Sequence, residues 1–146
     1  MMIGSDNSRR EAIIQFAVLG ENNQRQAIKA VIDTGYTGFL TLPSAIISLL
    51  GLTWYMQEEG ILGDRRICMF NVFEASVIWN GQIKSIEINE SETDPLVGMG
   101  LLEGYELNIS PRRIPLPRPI GQGGVSRGWV FQAHNQPAPQ CNHEEY

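Results

Sequence analysis

A chain of 146 residues fits one domain and can bury a real core without disulfides or metals. Its net charge of −5 gives no basic face for a nucleic-acid partner, and its 42% hydrophobic and 18% charged residues are an ordinary balance for a soluble globular protein. Two cysteines, Cys68 and Cys141, fall short of a disulfide framework. No segment approaches the roughly 18 apolar residues of a membrane helix. The polar opening, Met1 to Arg10, lacks the apolar region of a signal peptide. A reducing, cytoplasmic setting with no membrane partner is the expectation, and Cys68, in an apolar run, is expected to be a buried free thiol.

Residues 1–10 read as a polar N-terminal segment. Glu11 to Leu19 is then β-favouring, and Gly20-Glu21-Asn22-Asn23 is a turn cluster. Ala27 to Ile32 completes a hairpin. Asp33-Thr34-Gly35 follows at once, and Phe39 to Leu42 resumes as a strand. Pro43 suits the first turn of a helix over Ser44 to Leu50, and Gly51 is placed to end it. Glu58 to Leu62 and Arg66 onward flank Gly63-Asp64, a second hairpin, with Arg66 to Trp79 long enough to bend. Asn80-Gly81 is the strongest short hairpin signal, because a type I′ turn needs positive φ at both central positions. Gln82 to Asn89 is its return strand. Ser91 to Pro95 is a loop, Met99 to Gly104 has length for about one or two helical turns, and Leu107 to Ser110 suits a short strand.

From Pro111 the composition changes. Six of the eight prolines lie beyond this point, with Gly121-Gln122-Gly123-Gly124 among them. Residues 111–146 read as an extended or disordered tail. No internal repeat is evident.

One short motif carries chemistry. In Ala30-Val31-Ile32-Asp33-Thr34-Gly35 a carboxylate ends an apolar strand, although charges are costly to bury. A hydroxyl residue and a glycine then favour a tight turn. On its own this suits an Asx-type turn in which Asp33 binds nearby backbone N–H groups.

The wider pattern resembles the clan AA aspartic proteases, and among them the small prokaryotic retropepsin-like ones. Ala30 to Pro43 looks like the active-site strand, loop and next strand of that family. Leu62-Gly63-Asp64 resembles the tip of the flap, and Val72 to Gly81 the hairpin behind it. Asp94 to Leu107, with Leu96-Val97-Gly98, is similar to the crossing strand and C-terminal helix. The resemblance runs from about residue 11 to residue 110 and leaves the tail outside. It implies an all-β retropepsin-like closed barrel with one short helix after Pro43 and a second after Gly98.

What it implies for function is hydrolysis of peptide bonds without metal or cofactor. Aspartic peptidases use two carboxylates close enough to share a proton, one activating water while the other donates to the carbonyl oxygen. No second Asp-Thr-Gly or Asp-Ser-Gly occurs in the chain, so Asp33 would meet its copy across a homodimer with a two-fold axis through the site. The resemblance further implies that Thr34 bonds across that axis and that Gly35 lets backbone approach the carboxylates. Tyr36 and Thr37 would support the site and touch substrate, and Gly98 would pass close behind the Asp33 loop. Leu62, Gly63, Asp64 and Arg65 would form the flap.

Two positions depart from the pattern. Tyr36 stands where cellular relatives often have Ser and viral ones Ala, so it cannot copy a small hydroxyl bonded to Asp33. Gly63-Asp64-Arg65 stands where the family often shows Ala-Asp-Gly; Arg65 in place of glycine should stiffen the flap and add charge, or else be solvated. A non-catalytic retropepsin-like module for dimerisation or peptide binding is the alternative, and a structural protein has only the tail in its favour. His134, Cys141 and His143 have irregular flanks for a metal site. Ser126, Asp64 and a histidine lack the context of a nucleophile elbow. The 121–124 glycines lack the strand and helix of a phosphate loop. The Pro-Arg tail suits a spacer better than a ligand for a proline-reading domain.

Overall fold

A computed structural model describes residues 1–109 and 128–132. The fold is all-β with two short helices. Its strands are β1 (Met2–Asp6), β2 (Ala12–Leu19), β3 (Arg25–Ile32), β4 (Leu40–Leu42), β5 (Thr53–Ile61), β6 (Ile67–Trp79), β7 (Gln82–Glu90), β8 (Leu96–Val97), β9 (Glu106–Asn108) and β10 (Gly128–Gln132). Helix α1 is Ser44–Leu50 and α2 is Met99–Leu102. Among the described residues no helix is long and apolar enough to cross a membrane.

Local chemistry accounts for most of these elements. In β2 and β3 the alternation puts Ile14, Phe16, Val18, Ile28 and Ala30 inside, and Gln15 and Lys29 outside. Pro43 precedes α1 with φ −70°, and Gly51 ends it in the left-handed region, where its N–H closes on Ile47 and Ser48. The Glu92 carboxylate accepts the exposed Ser44 N–H at the other end (3.0 Å). Asn80 and Gly81 both take positive φ, 50° and 76°, as the type I′ turn between β6 and β7 requires.

All ten strands belong to one sheet in the order β5-β6-β7-β4-β8-β3-β2-β1-β10-β9. Strand β2 pairs a second time, with β6, in the register Ala17↔Ile78 to Leu19↔Ser76. This closes β6, β7, β4, β8, β3 and β2 into a ring, the form taken here by the closure expected from the sequence. Inside it lie Ile14, Val18, Leu40, Leu42, Val77, Ile88, Val97 and Leu101, all at or near zero exposure. Trp79 caps this core between Phe16 and Tyr105, edge-on to both rings at 5.3 and 6.3 Å.

Several elements differ from expectation. The polar opening segment contributes β1, antiparallel to β2 through Ser5↔Ile13 and Asp6↔Ala12. Strand β5 starts five residues before Glu58, at Thr53; nearly every residue in it is exposed, so no alternation marks it. In the β5–β6 turn it is Arg65, not Gly63, that adopts positive φ (66°). Arg65 therefore occupies a conformation that favours glycine. Cys68 is a free thiol but only half-buried. Strand β9 starts and ends earlier than expected, at Glu106 and Asn108. Of the tail, residues 128–132 form β10 between β1 and β9. Its other residues, including Ser126, His134, Cys141, His143 and the 121–124 glycines, lie outside the described residues.

Because β9 lies at the end of the sheet order among the described residues, next to β10, removing residues 110–146 should act locally. Hydrogen exchange on the shortened chain is expected to lose amide protection along β1 and β9 while β2, β6 and β7 keep theirs. Unchanged protection in β9 would mean that this pairing does not hold it.

Candidate active site

The loop from Asp33 to Phe39 is built by a strand that threads between its two ends. Strand β8 runs parallel to β3 (Val31↔Leu96, Ile32↔Val97) and antiparallel to β4 (Leu40↔Val97). On the β3 side, Val31 N–H donates to Pro95 O and Asp33 N–H to Val97 O, both at 2.9 Å. On the other side, the N–H groups of Gly98, Met99 and Gly100 donate to Phe39 O, Tyr36 O and Gly38 O at 3.0, 2.7 and 3.0 Å. The buried Thr41 hydroxyl accepts Leu96 N–H at 2.9 Å. Backbone bonds thus fix both flanks of the loop to one crossing segment.

Gly98 is where the two come closest. A Cβ there would collide with Gly38 O and would stand 2.5 Å from the Tyr36 ring and 2.7 Å from Tyr36 O. Its φ of −99° is open to any residue, so space, not conformation, demands the glycine. A Cβ on Gly38 would likewise run into the Tyr36 ring.

Within the loop, Asp33 is half-buried and Thr34, Gly35 and Thr37 are exposed. Asp33 Oδ1 accepts the Gly35 N–H at 2.9 Å, an Asx turn that aims the carboxylate along the loop. Among the described residues no group donates to Oδ2. Tyr36 points away from this carboxylate. Its hydroxyl donates to Asn89 Oδ1 on β7 at 2.5 Å, and Asn89 Nδ2 in turn donates to Glu58 Oε2 on β5 at 3.4 Å. Burial, then the charges of Glu58 and Glu87, hold the Tyr36 phenol well above its ordinary range, so it stays a neutral donor.

A cavity of about 600 Å³ opens between this loop and the β5–β6 hairpin. It brings Gly35, Tyr36 and Thr37 together with Leu62 at the start of the hairpin turn. Gly63, Asp64 and Arg65 sit at the tip and do not line it; Arg66 is ion-paired to Asp64 there. The sequence reading missed Thr41, Glu58, Glu87 and Asn89. Thr41 had a signal, a lone hydroxyl inside an apolar strand, which normally has a partner. The other three are solvated-looking residues on strands, and only the pairing of β5, β6 and β7 brings them to the loop. Among the described residues no cluster of three or more His, Cys, Asp or Glu could hold a metal ion.

No family model and no curated protein matches the chain. Solved structures similar to it include the following two. A retropepsin-like aspartic protease from Rickettsia conorii is 20% identical, with a TM-score of 0.49 over 73% of this chain and 82% of that one. The foamy viral protease-reverse transcriptase, solved with an RNA/DNA hybrid, is 14% identical, with a TM-score of 0.45 over 74% of this chain and 14% of the viral one.

The two hairpin and loop glycines separate space from conformation. Gly98→Ala is expected to lower stability by about 1–3 kcal/mol, because backbone must move to admit the methyl group. Gly63→Ala, with open space around it, should stay within about 0.5 kcal/mol. Urea unfolding of both variants measures the difference; equal midpoints would show that β8 does not bear on the loop.

Proposed function

We propose that the chain is one half of an aspartic endopeptidase, with a dyad formed by Asp33 and the same residue of a second copy. The observation that carries this reading is the Asp33 carboxylate itself. It ends an apolar strand and, among the described residues, keeps one oxygen free of protein donors. Its loop is pinned from behind by β8, and a hairpin-covered cavity lies alongside. A carboxylate kept only to cap a turn would not need its loop pinned in this way beside a cavity that Gly35 to Phe39 line. The motifs quoted above from Ala30 to Leu107 support the same reading.

In the proposed dimer the two carboxylates share one proton, since like charges that close cannot both ionise. The ionised carboxylate takes a proton from water as the water oxygen attacks the peptide carbonyl. The protonated one donates to the carbonyl oxygen, giving a neutral gem-diol. Collapse of the diol breaks the C–N bond, and the amine leaves with a proton from the dyad. The scheme uses no metal or cofactor. Substrate would lie extended between the dyad and the two β5–β6 hairpins, held through backbone hydrogen bonds. Thr34 and Gly35 would fix the paired loops, Tyr36 and Thr37 would meet substrate, and the Leu62–Arg65 turn would close over it. The proposed setting is the reducing cytoplasm, on the sequence grounds above.

One observation favours a second reading, a module that binds peptides without cutting them. The Tyr36 hydroxyl is bonded to Asn89 and not to Asp33, so the support a small hydroxyl could give the carboxylate is missing.

A peptide-library cleavage assay from acidic to neutral pH, run beside sedimentation analysis, separates the readings. Cleavage should rise with the dimer fraction and fall to background in Asp33→Asn, whose dimer should be as stable as the parent or more so, an amide pair replacing a repelling carboxylate pair. Full activity in a monomer, or retained cleavage in Asp33→Asn, would end the dyad reading. Peptide binding with no cleavage at any pH would leave the binding module.

A further inference from the structure

The cavity beside the Asp33 loop has charge of one sign. Its ionisable carboxylates are Glu58, Glu59 and Glu87, and among the described residues no lysine, arginine or histidine lines it. The carboxylates come from different strands, β5 and β7, so their convergence is a product of the sheet and not of local sequence. Glu58 is also the one that is positioned: Asn89 stands between it and the Tyr36 hydroxyl and bonds both. The negative charge reaches the interior of the site, since Glu58 and Glu87 add to burial in holding the Tyr36 phenol neutral. The cations nearest in sequence are Arg65 and Arg66 at the hairpin tip, where Arg66 is already paired with Asp64, and Lys84 on β7, and none of the three lines the cavity.

The rest of the wall is apolar where a long side chain would pass. Ile61, Leu62 and Phe70 line the hairpin side, and Phe39 lines the loop side. Such a wall suits methylenes, and the carboxylate beyond suits a cationic head. An acidic side chain in the same place would meet like charge, with no cation among the described lining residues to offset it.

We propose that this cavity is a side-chain subsite for a lysine or arginine of the bound peptide, with Glu58 as its counter-charge. The proposal rests on the reading that an extended peptide lies beside Asp33, and it adds the class of peptide: basic next to the cleaved bond. Tyr36 then has a use that a serine or alanine would not supply, since its hydroxyl holds Asn89, and Asn89 holds Glu58.

The test uses one peptide sequence in which a single position, moved along the peptide, is lysine, arginine, norleucine or glutamate. Each peptide is assayed for cleavage by the full chain. Versions with a reduced, uncleavable central bond are assayed for binding by fluorescence anisotropy. At one position lysine and arginine should bind roughly tenfold better than norleucine, with glutamate weakest. Glu58→Gln should erase the preference for the cation, and Glu58→Lys should reverse it toward glutamate. Circular dichroism confirms the fold of each variant. Equal binding of all four peptides at every position overturns the subsite, as does an unchanged preference in Glu58→Lys. Failure of the peptidase reading looks different: a charge preference in binding, with no peptide cut, keeps the subsite and removes the catalyst. Binding of none of the peptides removes both.

Discussion

The passage of β8 between β3 and β4 is the constraint on which the site depends. A two-residue strand does this because it is short, apolar and followed at once by a residue without a side chain. Leu96 and Val97 give backbone partners to both neighbours, and Gly98 lets the Asp33 loop fold down against the next three amides. Each of those bonds is worth only about 0.5–1.5 kcal/mol net. Their effect is geometric. They leave the loop a single position, with Asp33 at its start and the cavity-lining stretch Gly35 to Phe39 after it. The core behind it does the rest of the holding: Leu40, Val97 and Leu101 are fully buried and cannot shift without opening voids.

Tyr36 ties a second part of the molecule to that loop. Its ring lies over the two glycines that let β8 through, and its hydroxyl reaches across to β7 and, through Asn89, to β5. A small residue would leave the hairpin and the loop as neighbours across open space. With tyrosine they are linked by hydrogen bonds, and burial, helped by the charges of Glu58 and Glu87, keeps the phenol protonated.

Much of this was legible in the residues. Pro43 and Gly51 bracket α1 because one sets φ and the other tolerates the left-handed region, and both requirements are local. Asn80-Gly81 fixes its turn for the same reason. Gly98 was legible through the motif around it. The first part of β5, Thr53 to Gln57, was not, because β5 is an edge strand with both faces largely exposed, and a strand that buries little leaves no period of two. Strand β1 looked like a polar leader because Met2, Gly4 and Asp6 are half-buried and not apolar as a set. The lining of the cavity escaped because Glu58, Glu87 and Asn89 look like solvent-facing residues until cross-strand register puts them on one wall. Local chemistry is written in neighbours along the chain; a site shared by four strands is written in pairings that no single segment encodes.

The order of the strands also has a kinetic side. Hairpins β2–β3, β5–β6 and β6–β7 join segments that follow one another, so they can form within microseconds of collapse. Strand β8 enters between β3 and β4 only after the whole stretch containing those hairpins has been placed, and the loop entropy of that closure is spent before any of its contacts reward it. A chain that holds only these hairpins and helix α1 leaves the Asp33 loop unset. A carboxylate so placed has no fixed geometry until the last long-range pairing is made, which keeps an incompletely folded chain from displaying a finished site.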